Sequence, residues 1–115
     1  NHLLGIADTE SIERAVVLGV DTFDSCFPTR LARHGTLLTR GGKVHIKNKA
    51  NIRAFGQKID QECECTTCQK YDRAYLNHLL KAKEPLFLQL ATVHNVQFMN
   101  DFMADIREKI KRDEI

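Results

Sequence analysis

His2-Leu3-Leu4-Gly5-Ile6 and, further along, Val20-Asp21-Thr22-Phe23-Asp24 decide the fold. The first reads as a short apolar strand and the other as a second short strand. Between them Ile12, Ala15 and Val16 recur on one face of a helix. Asp8 or Thr9 can cap that helix, because a short oxygen-bearing side chain accepts from the otherwise orphaned N–H groups of the first turn. Gly19 fits the left-handed position just past its end. Strand, helix and strand in this order make a parallel unit, as in α/β sheets and barrels. Functional side chains in such folds sit at the C-terminal ends of the strands. Asp24 stands at such an end. Asp21 is a poor second acid for the same chemistry, because side chains alternate along a strand and the two carboxylates should face opposite ways.

Working outward, Pro28 breaks the pattern and a loop is expected after it. Residues 37–39 and 43–47 flank Arg40-Gly41-Gly42, and Val44 and Ile46 alternate with polar residues, which predicts a hairpin. Cys68 falls near the start of a helix on which Tyr71, Tyr75 and Leu79 recur at helical spacing. Pro85 ends or restarts that helix. A last helix presents Val96, Met99, Phe102, Met103, Ile106 and Ile110 on one face, which reads as core or interface. Lys109, Lys111 and Arg112 near its end suit the helix dipole.

The chain has 115 residues, enough for one small domain. It holds no apolar run long enough to span a membrane. It opens with an apolar strand already under way, so a longer protein is expected to continue upstream. The net charge of +2 hides an asymmetry. Residues 25–59 contain no Asp or Glu but carry Arg30, Arg33, Arg40, Lys43, Lys47, Lys49, Arg53 and Lys58. The rest of the chain is acidic on balance. So clean a basic block points to a polyanion such as nucleic acid, against the plainer reading of a solvated basic loop.

Three of the four cysteines crowd into Cys63-Glu64-Cys65-Thr66-Thr67-Cys68, and Cys26 stands alone. Clustered thiols without secretory features favour a metal site in a reducing compartment over disulfides. Zinc takes four ligands in a tetrahedron, and thiolates with one imidazole supply them. The downstream candidates for the fourth are His78 and His94. His78 falls inside an amphipathic helix and reads as a surface or packing residue. His94 follows a turn-prone segment and is expected at the start of the last helix, free to fold back. Four protein ligands close the shell, so a zinc site here is structural. An iron–sulfur centre, a redox cysteine pair and unliganded thiols are the alternatives.

Four stretches together resemble one family: Leu3-Leu4-Gly5-Ile6, Gly19-Val20-Asp21-Thr22-Phe23-Asp24 continuing to Pro28-Thr29-Arg30, the Cys63, Cys65 and Cys68 cluster, and Val93-His94-Asn95. The chain is similar to bacterial-type tRNA-guanine transglycosylase, also called queuine tRNA-ribosyltransferase, along its whole length and in order. The resemblance implies an α/β fold, the C-terminal part of an irregular (β/α)8 barrel with a zinc-binding subdomain. Residues 1–35 would supply the last strand–helix–strand unit and catalytic loop, 36–95 the zinc subdomain, and 96–115 a helix packed on the barrel.

The implied activity is replacement of guanine at the anticodon wobble position of tRNA by a 7-deazaguanine base, queuine or its precursor. The aspartate matching Asp24 is the family's nucleophile and attacks the ribose to give a covalent intermediate. Arg30 and Arg33 become RNA contacts, and Leu4 and Gly5 line the base pocket. One structural zinc ion, a homodimer and a cytoplasmic location are also implied. The chain departs from the family pattern at Leu4, Ala7, Ser25 and Cys26, and none of these removes a catalytic group. A catalytically silent partner subunit and a freestanding zinc module are the competing functions. Asp24 with Arg30 and Arg33 argues against the first, and the incomplete strand pattern at Asn1 against the second.

Overall fold

A computed structural model describes residues 1–114. The first unit runs strand β1 (His2–Leu4), helix α1 (Thr9–Val17) and strand β2 (Thr22–Asp24). The two strands pair in parallel, with His2 opposite Thr22, Leu3 opposite Phe23 and Leu4 opposite Asp24. Asp8, not Thr9, caps α1, its carboxylate accepting from the Ser11 N–H at 3.0 Å. Ile12 and Ala15 are its buried residues. Gly19 closes it at φ +97°, donating to the Val16 carbonyl.

Helix α2 (Phe27–Arg33) follows where a loop was expected. Pro28 lies in its first turn, where a missing N–H costs nothing and the fixed φ favours helix, so this proline starts a helix instead of preventing one. Ser25 Oγ accepts from the Phe27 N–H at 3.0 Å and shapes the entry. Gly35 then turns the chain at φ +81°. That left-handed backbone favours glycine, and a Cβ there would lie 2.7 Å from Leu80 Cδ2 and push that side chain aside.

The hairpin is present as β3 (Thr36–Thr39) and β4 (Gly42–His45), antiparallel, with Leu37 opposite Val44. Ile46 lies just beyond β4 and is fully buried. A 3-10 turn (Lys49–Asn51) leads towards α3 (Thr66–Lys70) and α4 (Arg73–Lys81). These are two helices where one was expected. Tyr71 is extended between them, at φ −131° and ψ 146°. Asp72 starts the second by accepting from the Tyr75 N–H at 2.7 Å and also from the Gly56 N–H at 2.9 Å. The Tyr71 and Tyr75 rings still stack, 5.4 Å apart.

The last helix, α5 (Pro85–Lys111), has 27 residues and sets the 44 Å long axis of the molecule, since a helix of that length spans about 40 Å. It begins at Pro85, so His94 lies well inside it and not at its start. No Gly or Pro follows Pro85 within it. Thr92, Val93, His94 and Asn95 are middling helix formers, each costing under about 0.7 kcal/mol relative to Ala. Burial of Phe87, Leu90 and Ala91 alongside offsets that. Of the six residues expected to form its apolar face, Ile106 is buried, while Val96 and Ile110 are exposed.

The core gathers Ala32, Leu37, Ile46, Ile59, Leu76, Leu79, Phe87, Leu90 and Ala91 around the three clustered cysteines. Helix α5 packs against α2, α3, α4 and β3. Among the described residues, no helix is long and apolar enough to cross a membrane.

Candidate functional site

Cys63, Cys65, Cys68 and His94 come together, all buried, with their ligand atoms within 4.8 Å of one another. Cys65 is the N-cap of α3, its Sγ accepting from the Cys68 N–H at 3.3 Å. The Cys65 N–H in turn reaches Cys63 Sγ at 3.4 Å. The short turn between the cysteines therefore wraps its own amides around the sulfurs. His94 enters from the middle of α5, its Nδ1 at 3.6, 3.5 and 3.3 Å from the sulfurs of Cys63, Cys65 and Cys68.

The tautomer of His94 follows from its other nitrogen. Nε2 lies 2.7 Å from the Leu38 carbonyl oxygen, which can only accept, so Nε2 carries the proton. That leaves the Nδ1 lone pair facing the three sulfurs. A ligating imidazole held through its second nitrogen by a carbonyl is the usual support for a metal ligand. Without a cation the thiols compete for protons. The hydrogen bond from Cys68 holds the Cys65 thiol down to about 3, with burial opposing. The same contact, and then burial, pushes the Cys68 thiol well above the ordinary range, and burial raises Cys63. A bound cation replaces such protons. The four residues could hold a metal ion. His78 is exposed on α4 and takes no part.

The neighbour of His94 has a role the sequence did not reveal. Asn95 is fully buried. Its Oδ1 accepts from the Leu38 N–H at 3.0 Å, and its Nδ2 donates to the carbonyls of Pro28 and Thr36, each at 3.0 Å. One side chain thus ties the first turn of α2 and both ends of a β3 segment to α5. Among the described residues, no buried side-chain nitrogen or oxygen lacks a partner.

The Asp24 end of the molecule is separate in character. Asp24 is the last residue of β2, exposed, and opposite Leu4. Leu4 is 75% exposed and Gly5 follows it at φ +72°, with open space where a Cβ would stand. Arg30 and Arg33 lie in the last turn of α2, both exposed. His2, which the sequence did not single out, reaches Asp24 Oδ1 from Nε2 at 2.8 Å and Thr22 Oγ1 from Nδ1 at 2.6 Å. Pairing the two predicted strands in register would have found it.

Not all of the basic stretch is available to a polyanion. Arg40 is engaged by Glu62 at 3.2 Å and by Asp105 at 3.3 Å. Lys43 sits over the Phe27 ring, 5.6 Å from its centre. Lys47, Lys49 and Arg53 are exposed.

These features define an α/β chain with a strand–helix–strand unit and a buried three-cysteine, one-histidine group able to hold a metal ion. The family described as queuine tRNA-ribosyltransferase matches residues 1–115. The chain belongs to this family. It is 49% identical over 113 residues to the queuine tRNA-ribosyltransferase of Protochlamydia amoebophila, covering 98% of this chain and 29% of that protein. It is 46% identical over 115 residues to that of Chlamydia abortus, covering 99% and 31%. It is 44% identical over 114 residues to that of Caldanaerobacter subterraneus, covering 99% and 30%. The chain therefore spans about 30% of the length of the relatives it matches.

Proposed function

We propose that the protein carrying this chain is a tRNA-guanine transglycosylase, replacing guanine at the anticodon wobble position with a 7-deazaguanine base, queuine or its precursor. Asp24 is the nucleophile. Its carboxylate attacks C1′ of the ribose, a C1′–O bond forms, and the C1′–N9 bond breaks with its electron pair leaving on guanine, which is protonated. The incoming base then attacks C1′, loses its N9 proton and returns the electron pair of the C1′–O bond to Asp24. Two inversions give net retention, the logic of retaining glycosidases. The acid that serves the leaving base comes from upstream of this chain, as do most groups of the base pocket. Alone, the chain is inactive.

The observation that carries this reading is the position of Asp24. It ends a parallel strand, exposed, in a chain matched along its length by the family. Catalytic groups of (β/α)8 barrels stand at strand ends of this kind, and the parallel β1–α1–β2 unit is taken as part of such a barrel. Leu4 and Gly5, adjoining Asp24, edge the base pocket. Arg30 and Arg33 contact RNA phosphates.

The metal is a single structural zinc ion held by Cys63, Cys65, Cys68 and His94. The donor set fits. A tetrahedral zinc ion with about 2.3 Å to sulfur and about 2.05 Å to nitrogen sets its sulfur and nitrogen ligands about 3.5 Å apart. The three Sγ–Nδ1 distances run from 3.3 to 3.6 Å. Four protein ligands leave no position for substrate, so the ion holds the cysteine turn and α3 to α5, and the His94–Leu38 bond brings in the hairpin. The protein acts in the cytoplasm as a homodimer.

The test is base exchange by the full-length protein, followed as incorporation of labelled guanine into tRNA. Asp24→Asn keeps the shape and removes the nucleophilic charge, so incorporation should vanish while tRNA binding survives. Normal incorporation by Asp24→Asn rules out the assigned role.

A further inference from the structure

We infer that His2 is a positioning residue for the Asp24 carboxylate, with Thr22 holding the orientation of the imidazole. The inference rests on Asp24 being the nucleophile. It begins from register. β1 and β2 pair in parallel with His2 opposite Thr22, and Asp24 lies two residues further along the same strand. Residues two apart share a face of a strand, so Thr22 and Asp24 present their side chains to one imidazole. Nε2 is 2.8 Å from Asp24 Oδ1, and Nδ1 is 2.6 Å from Thr22 Oγ1.

The chemistry of the three groups allows one consistent neutral arrangement. An ionised carboxylate can only accept, so Nε2–H donates to Asp24. Nδ1 of that tautomer accepts, and the Thr22 hydroxyl donates to it. The carboxylate therefore selects the tautomer, and the Thr22 hydroxyl, able to donate to the bare Nδ1, holds the ring in that orientation. Among the described residues, the second carboxylate oxygen of Asp24 has no hydrogen-bond partner, which leaves it for attack on C1′.

This arrangement acts unequally on the two halves of the reaction. When Oδ2 is bonded to C1′, Oδ1 is an ester carbonyl and a weaker acceptor. As the incoming base displaces the carboxylate, negative charge returns and spreads over both oxygens. The donor on Oδ1 meets that charge as it develops, so it favours departure of Asp24 from the sugar. It also holds the carboxylate in one rotamer for the first attack. The pair contributes little to folding, since the side chains are 41% and 62% exposed and exposed pairs of this kind are worth little. Its value is in the geometry of the reacting group.

The test uses the full-length protein and three variants. His2→Phe keeps a ring and removes the donor. His2→Gln places an amide N–H close to the position of Nε2. Asp24→Asn is the control for the underlying assignment. His2→Phe should keep metal content and melting temperature, lower kcat about 10- to 100-fold, and lower KM for tRNA as well, because a slowed breakdown traps enzyme in the covalent state. The covalent enzyme–RNA complex should make up a larger steady-state fraction, because its breakdown slows more than its formation. His2→Gln should recover most of kcat. His2→Phe with normal kcat and a normal covalent fraction, while Asp24→Asn is dead, overturns the role of His2 and leaves Asp24 standing. An equal loss in His2→Gln and His2→Phe also overturns it, since the donor would then not matter. Normal turnover by Asp24→Asn removes the assignment beneath it.

Discussion

His94 donates from Nε2 to the carbonyl oxygen of Leu38 at 2.7 Å, so the residue that completes the metal-holding group is itself held by strand β3. The bond links α5 to the hairpin and turns the Nδ1 lone pair towards Cys63, Cys65 and Cys68. Removing the cation would leave three buried sulfurs and the Nδ1 lone pair crowded against one another, with only the Cys65 and Cys68 N–H groups donating to them. Structural zinc in small peptides contributes about 10–16 kcal/mol of apparent folding free energy, which matches or exceeds the stability of a typical domain. Chelation, or Cys65→Ser, should therefore unfold the region spanning residues 43–95. Elemental analysis should give one zinc ion per chain. Folded protein without zinc contradicts this.

Asn95 satisfies three backbone groups at once: the Leu38 N–H and the carbonyls of Pro28 and Thr36. Asn95→Leu is close in size but leaves all three without their partner. A buried unsatisfied group costs about 1–3 kcal/mol. The substitution should destabilise by about 3 kcal/mol or more, read as a shift in denaturant midpoint at constant slope. A loss under about 1 kcal/mol would mean that water or a shifted backbone replaces these bonds.

Asp72 holds two N–H groups, from Gly56 and from Tyr75 at the start of α4, and the two bonds keep its carboxyl below the usual 3.8. A carboxyl whose value falls on folding stabilises the ionised form. That contribution is complete above 3.8 and is lost as the pH drops through the lowered folded value. Asp72→Ala should cost about 1 kcal/mol at neutral pH. The gap between variant and parent should narrow only in acid below 3.8. A gap that closes at pH values well above this would assign the stabilisation to another group.

Arg33 stands exposed in the last turn of α2. If it holds a phosphate of the anticodon loop, Arg33→Ala should weaken tRNA binding and flatten the dependence of log affinity on log salt by about 0.7, the value per contact for single strands. Arg40→Ala should change that slope less, because Arg40 is already paired with Glu62 and Asp105. An unchanged slope for Arg33→Ala would put the RNA on another surface.

The parts of this molecule that were legible in the sequence are those with local signals. The parallel unit is legible from two short strand segments, a cap at Asp8 or Thr9 and Gly19. The metal-holding group was legible from cysteine spacing. His94, not His78, lies beside the three cysteines, and it reaches them from mid-helix, not from the helix start that the sequence suggests. Propensity around residues 92–95 is weak, and only the packing of Phe87, Leu90 and Ala91 against the core carries the helix through. Pro28 starts α2 where a loop is expected, because a proline that breaks a preceding pattern also suits the first turn of a helix. The bonds of Asn95 to Pro28 and Thr36, and of His2 to Asp24, depend on which segments lie side by side. No local pattern encodes that.

The most direct test of the account is to find where RNA becomes attached. Full-length protein is incubated with an anticodon stem-loop, denatured, digested, and its RNA-linked peptide sequenced by mass spectrometry. The account predicts a single adduct on Asp24, absent from Asp24→Asn and released when a 7-deazaguanine base is added before denaturation. An adduct on any other carboxylate, or one that persists in Asp24→Asn, would contradict it.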